Sequence, residues 1–194
     1  MPQGQDFVMN YAVIKKFDIA NGPGVRVSLF VSGCRHRCKN CFNSEAWDFS
    51  YGSEFTDDTA EEIISALKPA HIQGFSLLGG EPFEPENQKG ICRLLKEIRR
   101  RLPDKDIWCY TGFLYDTQLL AGTVGNADTV KEILSNIDVL VDGKFVEELK
   151  SPDLIFRGSS NQRIIDVKKS LQSGNVIWLD GKWQRKMGSE DIYE

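Results

Sequence analysis

Three cysteines, Cys34, Cys38 and Cys41, fall within one short run, Gly33-Cys-Arg-His-Arg-Cys-Lys-Asn-Cys-Phe42. The C-x3-C-x2-C spacing supplies three soft ligands and no fourth. Three thiolates around a metal centre leave one coordination position open, and an open position is where a substrate or cofactor can bind. Arg35, Arg37 and Lys39 interleave the cysteines and are expected to offset thiolate charge and lower the thiol pKa values. A helical run fails on dimensions: at 1.5 Å rise per residue, Cys34 and Cys41 would stand about 10.5 Å apart along the axis. The segment is therefore expected to curl around its centre.

Two centres suit such a loop. One is an iron–sulfur cluster with an open iron; the other is a structural zinc ion closed by His36. Zinc sites usually complete themselves with a second C-x2-C or a His pair, and neither occurs here, since His71 is isolated. Cys92 falls in an expected helix and Cys109 in an expected strand, so both read as small buried hydrophobes.

The elements that must position this loop follow from periodicity and turn residues. Tyr11 to Phe17 reads as a strand, ended by the turn Asn21-Gly22-Pro23-Gly24. Val25 to Ser32 is β-branched and apolar, a central strand that delivers the chain into the cysteine loop. An acid-rich helix start at Thr56 runs to Pro69. Gly74 to Leu78 is a short strand entering Gly79-Gly80-Glu81-Pro82. Glu86 to Arg101 is an amphipathic helix with Ile91, Leu94, Leu95 and Ile98 on one face. Ile107 to Thr111, then Val139 to Val141, are strands, with a helix over Val130 to Ser135 between them. Ile155 to Phe156 and Arg163 to Val167 are weaker strand candidates. Val176 to Leu179, Asp180-Gly181 and Lys182-Trp183 have the form of a hairpin with a type I′ turn.

Strands alternating with helices predict an α/β fold with a mainly parallel sheet. In such sheets the loops at the carboxyl ends of strands carry the chemistry. The cysteine loop, Gly79-Gly80-Glu81, Tyr110-Thr111-Gly112 and Asp142-Gly143-Lys144 all stand there, so they should share one rim.

The bulk numbers bound the rest. The chain has 194 residues, a net charge of -4 and a pI near 5.3. It is expected to form one domain over 1–194, with extensions at 1–10 and about 173–194. No dominating positive field favours nucleic acid, and the basic runs Lys96 to Arg101 and Lys182 to Lys186 read as solvated faces. No apolar run approaches the ~20 residues that span a bilayer, and Met1 to Asn10 lacks the apolar core of a secretory signal. An odd count of five cysteines, three of them crowded, suits a reducing compartment. A cytoplasmic location is expected.

C-x3-C-x2-C followed by Gly-Gly-Glu-Pro after the next strand resembles the radical S-adenosylmethionine enzymes. Further segments narrow the likeness. Asn21-Gly22-Pro23-Gly24-Val-Arg26, Cys41-Phe42-Asn43, Asp106-Ile-Trp-Cys-Tyr-Thr-Gly112, Asp138-Val-Leu-Val-Asp-Gly-Lys-Phe145 and Phe156-Arg-Gly-Ser-Ser-Asn-Gln162 are similar to the activating proteins of anaerobic (class III) ribonucleoside-triphosphate reductases. Many superfamily members have an aromatic residue just before the third cysteine; here Asn40 stands there and Phe42 follows.

The resemblance implies an incomplete, open (β/α) barrel and a [4Fe-4S] cluster on Cys34, Cys38 and Cys41, whose fourth iron takes the amino and carboxylate groups of S-adenosylmethionine. Asn40 and Phe42 would contact its adenosyl part, although Phe42 taken alone reads equally as core. Gly79, Gly80 and Glu81 would receive the methionine amino group, the glycines by admitting a close backbone approach and Glu81 by its charge. Tyr110-Thr111-Gly112, Asp142, Lys144, Ser159 and Asn161 are further candidates for the cleft. The implied reaction begins with one electron from an external, flavodoxin-type donor. Homolysis of the sulfonium then gives methionine and a 5′-deoxyadenosyl radical, which takes hydrogen from a glycine of the reductase. Alternatives are an activase for another glycyl-radical enzyme of the pyruvate formate-lyase type, a small-molecule radical enzyme, or a zinc module without catalysis.

Overall fold

A computed structural model describes residues 9–179. The hairpin turn at Asp180-Gly181, the strand at Lys182-Trp183, the basic run Lys182 to Lys186 and most of both expected extensions lie outside the described residues.

One seven-stranded sheet organises the chain, in the order β3-β1-β2-β4-β5-β6-β7. The strands are β1 (Asn10–Asp18), β2 (Val25–Val31), β3 (Ser53–Glu54), β4 (Ile72–Gly79), β5 (Asp106–Tyr110), β6 (Val139–Asp142) and β7 (Arg163–Asp166). The four central strands β2, β4, β5 and β6 run parallel. The outer strands β1, β3 and β7 pair antiparallel, so the parallel expectation holds for the centre and not for the edges.

The helices are α1 (Asp57–Leu67), α2 (Pro85–Arg101), α3 (Ala127–Ser135) and α4 (Val167–Ser173). Local chemistry sets their ends. Thr56 and Thr59 form a capping box at α1, Pro85 opens α2, and Asn126 and Asp166 cap α3 and α4 through their side chains. No helix among the described residues is long and apolar enough to cross a membrane.

Three sequence expectations change. Ile155 and Phe156 form no strand, because Phe156 turns the chain in the left-handed region at φ 52°. Val167 does not extend the preceding strand but begins α4, since Asp166 accepts from the Lys169 N–H and starts a helix there. Val176 to Leu179 lies beside β7 through an isolated Ile165–Trp178 bridge. The short π-helical turn Tyr115–Leu120 carries no periodicity that announced it.

The period of two along the central strands separates two faces. Val27, Leu29, Val31, Phe75, Leu77, Ile107, Cys109 and Leu140 enter the main core with residues of the helices. Trp108, Val139, Val141 and Ile164 form a smaller cluster, joined by Tyr110, Phe156 and Leu179. Alternate positions carry polar groups without exposing them: Arg26 is 0% exposed. Its guanidinium donates to Ser76 Oγ (2.7 Å), the Phe75 carbonyl (2.9 Å) and the Asp106 carboxylate. It also donates to the Pro23 carbonyl (3.2 Å), and Ser76 Oγ donates to the Asn21 carbonyl (2.5 Å). A buried charge is tolerated only when paired and hydrogen-bonded, and here that pairing pins the β1–β2 turn.

Asp138, before β6, ties the same layers together. Burial alone would raise its carboxyl pKa, but Arg99, Lys168 and the Ile107 N–H hold it below the ordinary 3.8. A lowered folded-state pKa stabilises the fold above the unfolded value and loses that contribution as pH falls through the folded one. Asp138→Ala should therefore cost about 2 kcal/mol in urea unfolding at neutral pH, and the difference from wild type should shrink below pH 3.8.

Candidate cluster and cofactor site

The cysteine loop leaves β2 through Gly33, whose φ of 90° is left-handed; an added Cβ would stand 2.2 Å from the Phe49 ring. The loop then curls as its dimensions required, with Arg37 at φ 48° and Asn40 at φ 55° reversing its direction. Non-glycine residues adopt this region at a cost. Backbone bonds fix its entry: Gly33 N–H to the Ala46 carbonyl (2.9 Å) and Cys34 N–H to Trp47 (3.1 Å).

Gly79 and Gly80 lie directly alongside. A Cβ on Gly79 would reach 2.4 Å from the Val31 nitrogen, and one on Gly80 would reach 2.5 Å from the Gly33 carbonyl oxygen. The paired glycines thus admit the cysteine strand itself. The Glu81 N–H closes this contact by donating to the Gly33 carbonyl (2.8 Å).

Glu81 is 1% exposed. One carboxylate oxygen accepts from the Phe83 N–H (2.9 Å) and Thr111 Oγ1 (2.7 Å). The other accepts from the Gly112 N–H (2.8 Å) and His36 Nε2 (2.8 Å). All four acceptor positions of a carboxylate are engaged within the chain.

These segments enclose a cavity of about 440 Å³. Cys34, Cys38, Asn40, Cys41 and Phe42 line it, together with Gly79, Gly80 and Glu81. Tyr110, Thr111, Gly112 and Gly143 bring in the other two strand ends, so all four expected segments reach one wall. Asp142, Lys144, Ser159 and Asn161 do not line it. Asp142 instead accepts from the Tyr115 N–H (2.7 Å) and from Arg163. Ser159 Oγ accepts from the Val146 N–H (3.1 Å), and Asn161 donates to the Lys144 carbonyl (2.8 Å). Phe42 is 83% exposed, which removes the core alternative for it. Sequence reasoning gave no site role to Trp47, Phe145 or Leu154, which line this wall; the segments quoted for the family likeness, Asp138 to Phe145 and Phe156 to Gln162, were the signal for Phe145 and for Phe156, Arg157, Gly158 and Gln162, which line it too.

The electrostatics differ from the expectation for the thiols. Burial pushes Cys34 up to about 12, with Glu81 and Glu84 adding to the rise against the opposing N–H groups of His36 and Arg37. Cys38 is raised by burial and by Cys41, against the Phe145 N–H. Two of the interleaved cations, Arg35 and Lys39, are paired elsewhere. Arg35 pairs with Glu84 (2.5 Å) and Glu86 and lies over the Phe49 ring, and Lys39 pairs with Glu148 (3.3 Å). Metal ligation must therefore displace protons.

Cys34, Cys38 and Cys41 all line the cavity, and three thiolates are the donor set of an iron–sulfur cluster with one open iron. His36 Nε2 is bonded to the Glu81 carboxylate (2.8 Å). Two buried donors on the cavity wall, Trp47 Nε1 and the Tyr110 hydroxyl, have no partner among the described residues, and burial raises the Tyr110 hydroxyl so that it stays protonated. Buried donors of this kind call for an acceptor.

Comparison with known proteins decides the family. Residues 20–165 match the model of the 4Fe-4S single cluster domain. The anaerobic ribonucleoside-triphosphate reductase-activating protein of Escherichia coli K12 is 46% identical over 79% of this chain and 96% of its own length. That of Vibrio cholerae is 42% identical over 80% of this chain and 97% of its own, and that of Enterobacteria phage T4 is 41% identical over 80% and 93%. This chain belongs to that family. The matched domain is an iron–sulfur one, and its range includes the three cavity cysteines. Cys92 and Cys109 stand apart from it, buried as expected, with the Cys92 thiol donating to Glu132 (3.2 Å).

Gly33→Ala should lower stability by about 1–3 kcal/mol and reduce iron bound after anaerobic reconstitution. Unfolding curves and iron assays on the same preparation check both effects.

Proposed function

We propose that the chain activates an anaerobic ribonucleoside-triphosphate reductase by generating a glycyl radical on it, using a [4Fe-4S] cluster and S-adenosylmethionine. The observation that carries this reading is the meeting of Cys34, Cys38 and Cys41 with Gly79–Glu81 on one cavity. Near full-length similarity to activating proteins supports the choice of partner. We read the sheet as an incomplete, open (β/α) barrel in a single domain over 1–194, cytoplasmic, and served by a flavodoxin-type electron donor.

Each residue then has a task. Cys34, Cys38 and Cys41 would hold the cluster through three thiolates and leave one coordination position for the cofactor. Gly79, Gly80 and Glu81 wall that position, and the buried Glu81 charge complements an ammonium. Asn40 and Phe42, on either side of Cys41, flank the adenosyl part. When bound, the cluster and cofactor together supply the one-electron chemistry that ends in hydrogen-atom abstraction. The chain's own contribution is to orient the cofactor, keep the centre dry at its apolar side and leave the cavity open to a polypeptide.

Cys34→Ala, Cys38→Ala and Cys41→Ala should each abolish 5′-deoxyadenosine production, whereas Cys92→Ala and Cys109→Ala should retain it. Chromatographic product analysis separates the two groups, and cleavage surviving in any of the first three would remove the ligand assignment.

The partner is tested by electron paramagnetic resonance. Reconstituted protein, S-adenosylmethionine and reductant are mixed with a class III reductase or with a pyruvate formate-lyase-type enzyme. A glycyl radical should arise on the reductase. A radical on the other enzyme alone would overturn the assignment.

A further inference from the structure

The three donors to Glu81 besides His36 come from segments that other bonds already join. Phe83 belongs to the same turn, and Thr111 and Gly112 follow β5, which pairs with β4 along its length. His36 stands midway between Cys34 and Cys38, a stretch that the Arg35 N–H to Glu84 (2.7 Å) and the Arg35 ion pairs with Glu84 and Glu86 already hold against the turn after β4. To these it adds a bond to the Glu81 carboxylate itself (2.8 Å). Its side chain is 9% exposed, and its ring meets Phe113 edge-on at 4.4 Å between centroids.

Gly112 gives an independent sign that the rim is built around this imidazole. A Cβ there would stand 2.4 Å from His36 Cδ2 and 2.5 Å from Nε2. Gly112 is not among the residues with positive φ, so its backbone does not demand glycine. The imidazole does. A carboxylate only accepts, so Nε2 carries the proton in this contact.

The geometry points to His36 as a positioning residue, which clamps the Cys34–Cys38 stretch to Glu81 and fixes that carboxylate at the wall of the cavity. The inference rests on the cavity's being the S-adenosylmethionine site. His36 itself lines the cavity, and its role in this account is positional. It acts by holding the cluster loop and the ammonium-facing carboxylate in one fixed relation, which sets cofactor affinity.

The test is equilibrium binding of S-adenosylmethionine to cluster-loaded wild type, His36→Ala, His36→Gln and Gly112→Ala. Iron content and unfolding midpoint are measured on the same samples. Wild type should bind. His36→Ala should bind at least roughly tenfold more weakly, or lose iron, because a hydrogen bond to a buried charge is gone. His36→Gln places an amide N–H near the position of Nε2 and should restore iron and bring affinity back within roughly fivefold. Gly112→Ala should weaken binding as His36→Ala does and add little in the His36→Ala background, since the clash partner is then absent. Wild-type affinity and iron in His36→Ala, or failure of His36→Gln to rescue, would overturn the clamp alone. No binding by cluster-loaded wild type would overturn the reading of the cavity, and the clamp with it.

Discussion

A carboxylate withdrawn from water must be repaid by hydrogen bonds, and Glu81 is repaid by four. Because those donors come from the cysteine loop, its own turn and the segment after β5, satisfying one charge fixes three strand-end segments together. The backbone contact between Gly33 and Gly79–Glu81 closes the same junction from the β2 side. The cavity is the space this junction leaves. Its position at the carboxyl edge of the parallel strands follows from the topology, but its shape follows from Glu81.

The sheet supports this by keeping its two faces distinct. One set of alternating side chains packs with the helices into the main core. The other set carries Arg26, Ser28 and Ser76 in full burial, held by the β1–β2 turn and Asp106. Polar groups at core positions would destabilise the fold if unpaired. Paired as they are, they bring Asn21 and Ala20 to the cavity wall.

Much of this was legible in the chain. The strands of the parallel centre and the helices α1 to α3 announced themselves by periodicity and punctuation, because each buries one continuous face. The convergence of four loops followed from placing them all at strand ends. What escaped was information held in pairs rather than runs. Nothing local marks Ser53–Glu54 as a strand, since its pairing with β1 comes from across the sheet. The left-handed turn at Phe156 breaks the strand expected at Ile155 and Phe156. Arg35 and Lys39 were expected to act on the thiols beside them, yet their partners Glu84 and Glu148 are distant in sequence and take that charge. The pairing of Gly112 with His36 is visible only when both are in place.

The central claim is a cluster held by three thiolates with one iron left for S-adenosylmethionine. Mössbauer spectroscopy of iron-57-reconstituted protein, with and without the cofactor, tests it most directly. The account predicts one iron site distinct from the rest, whose parameters alone shift when S-adenosylmethionine is added. A spectrum indifferent to the cofactor, or four equivalent irons in a fully ligated cluster, would contradict it.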